Sequence, residues 1–139
     1  MIDIRPSPIA GAWYDGNPKS LARHVDEYIE QAQLPQLNGE VIAVIAPHAG
    51  HRYSGHVAGH AFAALRGRTF ELVAVISPFH NLAFDPLITT SHAAYSTPLG
   101  NIEVDHAALE ELRAALKIPI TTLKKDKEHS LEIELPFLQ

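Results

Sequence analysis

The sequence contains no cysteine, which excludes disulfides and thiolate metal ligands within these 139 residues. No apolar run approaches the ~20 residues that a membrane-spanning helix needs, and residues 1–6 lack the basic and then apolar order of a signal peptide. Lys and Arg number 11 against 16 Asp and Glu, and this net charge of −5 argues against nucleic acid or an anionic membrane as the main partner. We therefore expect a cytoplasmic protein that binds neither.

Glycine-rich phosphate motifs are also missing, since the sequence has neither a Walker loop nor Gly-x-Gly-x-x-Gly. Apolar residues make up 46% of the chain, and nine of the residues are histidines. This composition predicts a globular chain with a real core, arranged as a single domain over 1–139. The last eight residues, 132–139, are largely apolar and contain no helix cap or terminal glycine. We therefore expect the chain to be the N-terminal half of a longer protein.

Alternating strand and helix patterns predict an α/β fold, in which a mostly parallel sheet is flanked by helices. Two runs rich in β-branched residues, at 41–46 and 71–77, are predicted as strands buried on both faces. Shorter strands are predicted at 102–104 and 118–120, and residues 79–101 are expected to be a long polar stretch with a short apolar piece at 87–89. Helices are predicted at 18–33 with Asn17 as cap, at 54–65, and at 105–116 with Asp105 as cap.

A histidine follows each of the two long apolar runs. His48 comes after Pro47 and His80 comes two residues after Pro78. Proline ends a strand because it has no N–H to donate, so both histidines are placed just past the carboxyl end of a strand, where α/β sheets bind ligands. Two neutral imidazoles suit iron, copper or zinc. The alternative is that each ring is packed and hydrogen-bonded to a carbonyl group.

Further candidates lie near these two histidines or close to the end of the chain. His129 is a candidate acid/base, and Glu132 shares a face with it if the segment is helical. The other interpretation of Glu132 is a first-turn carboxylate beside a Ser130 cap. His51 lies close to His48 in a loop and is a second pocket candidate.

Several segments resemble the Memo-like family, in order along the whole chain. They are Ala46-Pro47-His48-Ala49-Gly50 with Tyr53-Ser54-Gly55, then Ser77-Pro78-Phe79-His80, Tyr95–Gly100, Glu128–Phe137 and the N-terminal Ala10–Tyr14. The resemblance implies the fold of the class III extradiol ring-cleaving dioxygenases. It also implies that His48 and His80 bind a divalent metal and that His129 is a pocket histidine.

The same resemblance implies what surrounds this site. The third ligand of the animal family members is a downstream cysteine, which this chain lacks, so we expect it to bind metal weakly or not at all when it is alone. Bacterial members are encoded with an AMMECR-type protein and a radical SAM protein, the AmmeMemoRadiSam set, so these are expected partners together with further copies of the chain. Two functions follow: a non-haem metal-dependent oxidoreductase of the dioxygenase type, or a non-catalytic module that binds a peptide or partner protein.

Overall fold

The computed structural model describes residues 2–139 as an α/β arrangement, which confirms the predicted fold class. The helices are α1 (Pro18–Glu30), α2 (His51–Ala63), α3 (His106–Ala115) and α4 (Leu135–Leu138), and a 3-10 turn at Glu132–Glu134 leads into α4. The strands are β1 (Ile4–Arg5), β2 (Leu87–Thr90), β3 (Ala94–Thr97), β4 (Gly100–Glu103) and β5 (Ile120–Leu123).

The strands form two small sheets. β1 is parallel to β3, with Arg5 opposite Tyr95, and β3 is antiparallel to β4. β2 and β5 form a separate parallel pair. Two of the three strand pairings within residues 2–139 are thus parallel, in agreement with a mostly parallel arrangement.

The predicted helix caps are confirmed. The Asn17 side chain accepts hydrogen bonds from the N–H groups of Lys19 and Ser20, and Asp105 accepts one from Ala108. α2 begins earlier than predicted, at His51, because the Gly50 carbonyl already accepts the N–H of Ser54.

The predicted strands at 41–46 and 71–77 are wrong. Neither segment has regular secondary structure, and several of their side chains are open to solvent: Ile42, Ile45 and Ile76 are 94%, 97% and 91% exposed. A run of β-branched residues encodes a preference for a buried, pleated surface, but it becomes a strand only when a neighbour accepts its backbone hydrogen bonds. Within residues 2–139 no segment pairs with either run.

The core instead joins the N-terminal arm, the first two helices and the end of the chain. Its buried members are Ile9, Tyr14, Leu21, Val25, Ala58, Phe62, Ile133 and Phe137. The rings of Phe62 and Phe137 stack at 4.8 Å. No helix within residues 2–139 is both long and apolar enough to cross a membrane.

Candidate functional site

Three histidines that are far apart in the sequence meet in space. The ring centroids of His48 and His80 are 5.3 Å apart, and His129 lies 4.5 Å from His80 and 6.3 Å from His48. The structure therefore brings together the two histidines predicted to bind metal and the one predicted to be an acid/base. Their chemical roles stay predictions.

The N-terminal arm connects His48 and His129. Trp13 places its indole 4.3 Å from the His129 ring, and its carbonyl accepts the N–H of His51 at 2.8 Å. Gly50 lies so close to Trp13 that an added Cβ would be 3.2 Å from the Trp13 carbonyl oxygen. The turn that follows His48 is thus held against the same residue that covers His129.

Glu128 organises the other side of the cluster. Its Oε2 accepts the backbone N–H of His80 at 2.7 Å, and its Oε1 accepts the His80 ring at Nδ1 at 2.9 Å. The same Oε1 accepts the backbone N–H groups of His129 at 2.8 Å and Ser130 at 3.0 Å. One carboxylate therefore fixes both the backbone and the ring of His80 relative to the segment that carries His129.

This arrangement determines which His80 nitrogen is free. Burial alone would raise the pKa of Glu128, but the hydrogen bonds from His80, Ser130 and His129 outweigh it and lower that pKa to about 2. Glu128 is therefore an ionised carboxylate near neutral pH and can only accept hydrogen bonds. Neutral His80 must then carry its proton on Nδ1, which leaves the Nε2 lone pair to bind a metal, as in carboxylate–histidine–metal triads.

His129 is held in its neutral form. Burial lowers its pKa from the ordinary value, and the nearby His80 and His48 rings act in the same direction against the opposing charge of Glu128. A neutral imidazole can accept a proton or bind a metal. Its Nδ1 lies 3.2 Å from Glu128 Oε1.

Ser130 has a different role from the predicted helix cap. It is 0% exposed, and its hydroxyl donates to the Pro78 carbonyl and lies 2.9 Å from the Ser77 hydroxyl. The 3-10 turn at Glu132–Glu134 begins after Leu131 and has no side-chain cap among the described residues, so the predicted Ser130 cap is wrong. Ser130 thus joins the segment that carries His129 to the one that carries His80.

Glu132 is close in sequence to His129, but its carboxylate is engaged elsewhere. It is 0% exposed and forms an ion pair with Arg5. It also accepts hydrogen bonds from the hydroxyls of Ser7 and Tyr14, the latter at 2.7 Å. These three partners occupy its oxygens, so the structure gives Glu132 a supporting position and not one facing the histidines.

His51 is likewise directed into the protein. It is 5% exposed, its Nε2 lies 3.0 Å from the Ile133 carbonyl oxygen, and its ring contacts Tyr14, Tyr28 and Phe137. Burial lowers its pKa. The structure does not bring the His51 ring into the histidine cluster.

The donor atoms present fit a transition-metal ion. His80, Glu128 and His129 each offer a ligand atom, and these atoms all lie within 4.8 Å of one another. His48, which the sequence predicts as a ligand, is not in this group of three, although its ring centroid is 5.3 Å from that of His80. Nitrogen donors with one carboxylate suit iron, copper and zinc better than magnesium or calcium. Sequence reasoning did not single out Glu128, because it ends a run of charged residues that has the pattern of a solvated surface.

Comparison with known proteins gives the chain's relatives. The family model for Memo-like protein matches residues 5–139. Protein memo-1 homolog of Caenorhabditis elegans is 36% identical over 135 residues, which cover 96% of this chain and 38% of the relative. A MEMO1 family protein of Nitrosopumilus maritimus is 33% identical over 141 residues, covering 98% of this chain and 51% of the relative.

Protein MEMO1 of Xenopus laevis is 31% identical over 134 residues, which cover 96% of this chain and 44% of that protein. The chain thus spans about half the length of the curated relatives it matches, or somewhat less. The matched range 5–139 includes every residue of the histidine cluster and of its supporting contacts. These matches confirm the resemblance found in the sequence motifs, and the chain belongs to the Memo-like protein family.

Proposed function

We propose that this chain supplies the histidine side of a metal centre that acts on a small molecule as a non-haem oxidoreductase of the dioxygenase type. In this proposal His48 and His80 bind the metal, Glu128 orients His80, and His129 handles protons. The observation that carries the proposal is the meeting of three imidazoles around a carboxylate that holds His80 through Nδ1.

Iron is the metal we favour, with copper or zinc as alternatives, because these ions accept imidazole nitrogen readily. When bound, iron would supply redox and Lewis-acid chemistry. The protein's own contribution is to hold the ligand side chains in position. The backbone and ring of His80 are both hydrogen-bonded to Glu128, so this ring has little freedom to turn its Nε2 away from the site.

His129 is suited to remove a proton from a substrate hydroxyl group. Its lowered pKa keeps it neutral near physiological pH, and a proton acceptor must be neutral before the reaction. The indole of Trp13 lies against its ring and limits the positions that the imidazole can take. An aromatic diol would give such a group an acidic hydroxyl to deprotonate.

Metal binding is the first test. Wild type would be titrated anaerobically with Fe(II), and separately with Zn(II), by isothermal calorimetry. This chain alone is expected to bind metal weakly, and we expect His48→Ala and His80→Ala to weaken that binding by at least a further tenfold and His129→Ala to weaken it less. His56→Ala is the matched control, because that histidine is exposed on α2, away from the cluster. Equal affinities for His80→Ala and His56→Ala would contradict the proposal.

Turnover is the second test, made on the iron-loaded protein by oxygen uptake with a catechol. We expect His129→Ala to abolish uptake while most metal affinity remains. Tight metal binding without uptake by wild type would favour the alternative function, a binding module for a peptide or partner protein. AMMECR-type and radical SAM proteins are the partners we propose for either function, and co-purification with tagged chain would test them.

A further inference from the structure

Arg5, in the N-terminal arm, reaches the candidate site from the opposite end of the chain. Arg5 is 1% exposed, and the hydrogen bonds of its side chain go to residues 126–132. Nε donates to the Asp126 carbonyl at 3.1 Å and lies 3.2 Å from the Asp126 carboxylate. One terminal nitrogen donates to Glu132 and the other to the Glu128 carbonyl. Arg5 thus contacts the beginning, middle and end of this segment.

The segment 126–132 is the one that carries Glu128 and His129. Asp126, which Arg5 holds, accepts the backbone N–H of Glu128 at 2.8 Å. Asp126 is held in turn by the Tyr95 hydroxyl at 3.0 Å, and the Arg5 guanidinium lies 4.8 Å from the centre of the Tyr95 ring. Strand pairing places Arg5 and Tyr95 opposite each other, so the sheet formed by β1 and β3 sets the position of the segment.

We propose that Arg5 is a positioning residue, which holds the segment 126–132 so that the Glu128 carboxylate meets the His80 Nδ1 and leaves Nε2 free. This inference rests on the proposed metal function for its purpose, but its geometry concerns the metal-free protein. The planar fork of arginine suits the task because it reaches several acceptors in fixed directions, which a lysine ammonium cannot do.

A purely stabilising role accounts poorly for this arrangement. Burying a guanidinium and two carboxylates removes their hydration, and apolar residues of similar volume often stabilise a protein as well or better. What apolar residues cannot provide is directed hydrogen bonds to two backbone carbonyls and one carboxylate, with an ion pair to a second carboxylate. Those directed bonds are the ones that place Glu128 relative to His80.

The test compares Arg5→Lys with Arg113→Lys. Arg113 is a suitable control because it also ties down backbone, donating to the Ile120 carbonyl and the Thr122 hydroxyl, each at 2.9 Å. Long-range proton–nitrogen NMR on the metal-free proteins would show which ring nitrogen of His80 carries the proton. We expect Nδ1 protonation in wild type and Arg113→Lys, and a mixture of tautomers in Arg5→Lys.

Zinc affinity gives a second readout. We expect Arg5→Lys to bind zinc about 10–100-fold more weakly than wild type, the range typical for residues that orient ligands. If Arg5→Lys does not fold, Glu132→Gln weakens one arm of the same contact and should shift the tautomers in the same direction. A folded Arg5→Lys, or failing that Glu132→Gln, with an unchanged His80 tautomer would overturn the inference.

The two proposals fail in different ways. If wild type binds no metal but Arg5→Lys still changes the His80 tautomer, the proposed function fails and the positioning role stands. If wild type binds metal through His48 and His80 but the His80 tautomer does not depend on Arg5, the proposed function stands and the positioning role of Arg5 fails.

Discussion

Two regions that contribute to the same candidate site are built very differently. The anchored region, residues 3–14 with 126–139, has Ser130 and Glu132 fully buried and Ile133 at 1% exposure. The extended segments, 41–46 and 71–77, expose isoleucines almost completely and have no strand pairing within residues 2–139. His129 belongs to the anchored region, whereas His48 and His80 follow the extended segments.

The difference shows that the histidines are placed by polar contacts at the ends of the extended segments and not by the apolar runs themselves. Glu128 accepts the backbone N–H of His80, and Ser130 donates to the Pro78 carbonyl. Near His48, the Ser54 hydroxyl donates to the Ala49 carbonyl at 3.0 Å. Substitutions in the anchored region should therefore have large effects on stability, and substitutions in the extended segments small ones.

The largest expected effect is for Glu132→Ala. This change leaves the buried Arg5 guanidinium without one of its two carboxylate partners and removes the acceptor of Ser7 and Tyr14. Breaking a buried pair by removing one partner typically costs about 3–5 kcal/mol. Urea unfolding monitored by circular dichroism would measure this loss in the free energy of unfolding. A loss below about 1 kcal/mol is typical of an exposed ion pair, and would show that the contacts of Glu132 are solvated in solution.

The same chemical change in the two regions gives a direct comparison. Ile133→Ala removes buried methyl groups from the core and should cost about 2–5 kcal/mol. Ile45→Ala, at a residue 97% exposed, should change the free energy of unfolding by no more than about 0.5 kcal/mol. Equal costs for the two variants would mean that the extended segment is buried in solution.

The pH dependence of stability tests a buried carboxyl group in the anchored region, that of Glu134. Glu134 is 8% exposed, both its oxygens lack a hydrogen-bond partner, and burial raises its pKa to about 7 from an ordinary value of 4.5. Since the folded state binds this proton more tightly than the unfolded state, the associated stability is complete below pH 4.5. It is lost as the pH rises through 7, by at most about 3 kcal/mol.

Glu134→Gln removes this titration, so the variant should lose less stability than wild type between pH 4.5 and pH 8. Thermal unfolding at closely spaced pH values would measure the difference. Identical pH profiles for the two proteins would contradict the raised pKa.

Much of the fold could be predicted because its signals are local. Asn17 and Asp105 cap helices through their own side chains, as predicted. The pairing of strands is not local. The runs at 41–46 and 71–77 have strong strand composition, but composition does not specify a partner.

The site shows the same division. His48, His80 and His129 could be found because each lies in a distinctive motif, and the structure brings all three together. Glu128 belongs to the same motif as His129, but its role, like that of Arg5, could not be found this way. Their roles depend on contacts across 48 and up to 127 residues of sequence, and a charged side chain looks the same in the sequence whether it is solvated or buried in an ion pair.

The smallest expected effect on folding is also the sharpest test of the extended segments. Ile45→Lys and Ile76→Lys place charges at residues that are 97% and 91% exposed, so each should change the free energy of unfolding by no more than about 0.5 kcal/mol. Exposed apolar surface of this kind favours association, and unpaired extended backbone favours it further. We therefore expect wild type to self-associate with rising concentration and the double variant to associate less, as measured by analytical ultracentrifugation. Arg66→Glu, a charge change at an exposed residue outside these segments, controls for a general effect of charge. If the double variant unfolded, or associated as strongly as wild type, the extended segments would be buried against other parts of the same molecule, and the contrast between the two regions would not hold in solution.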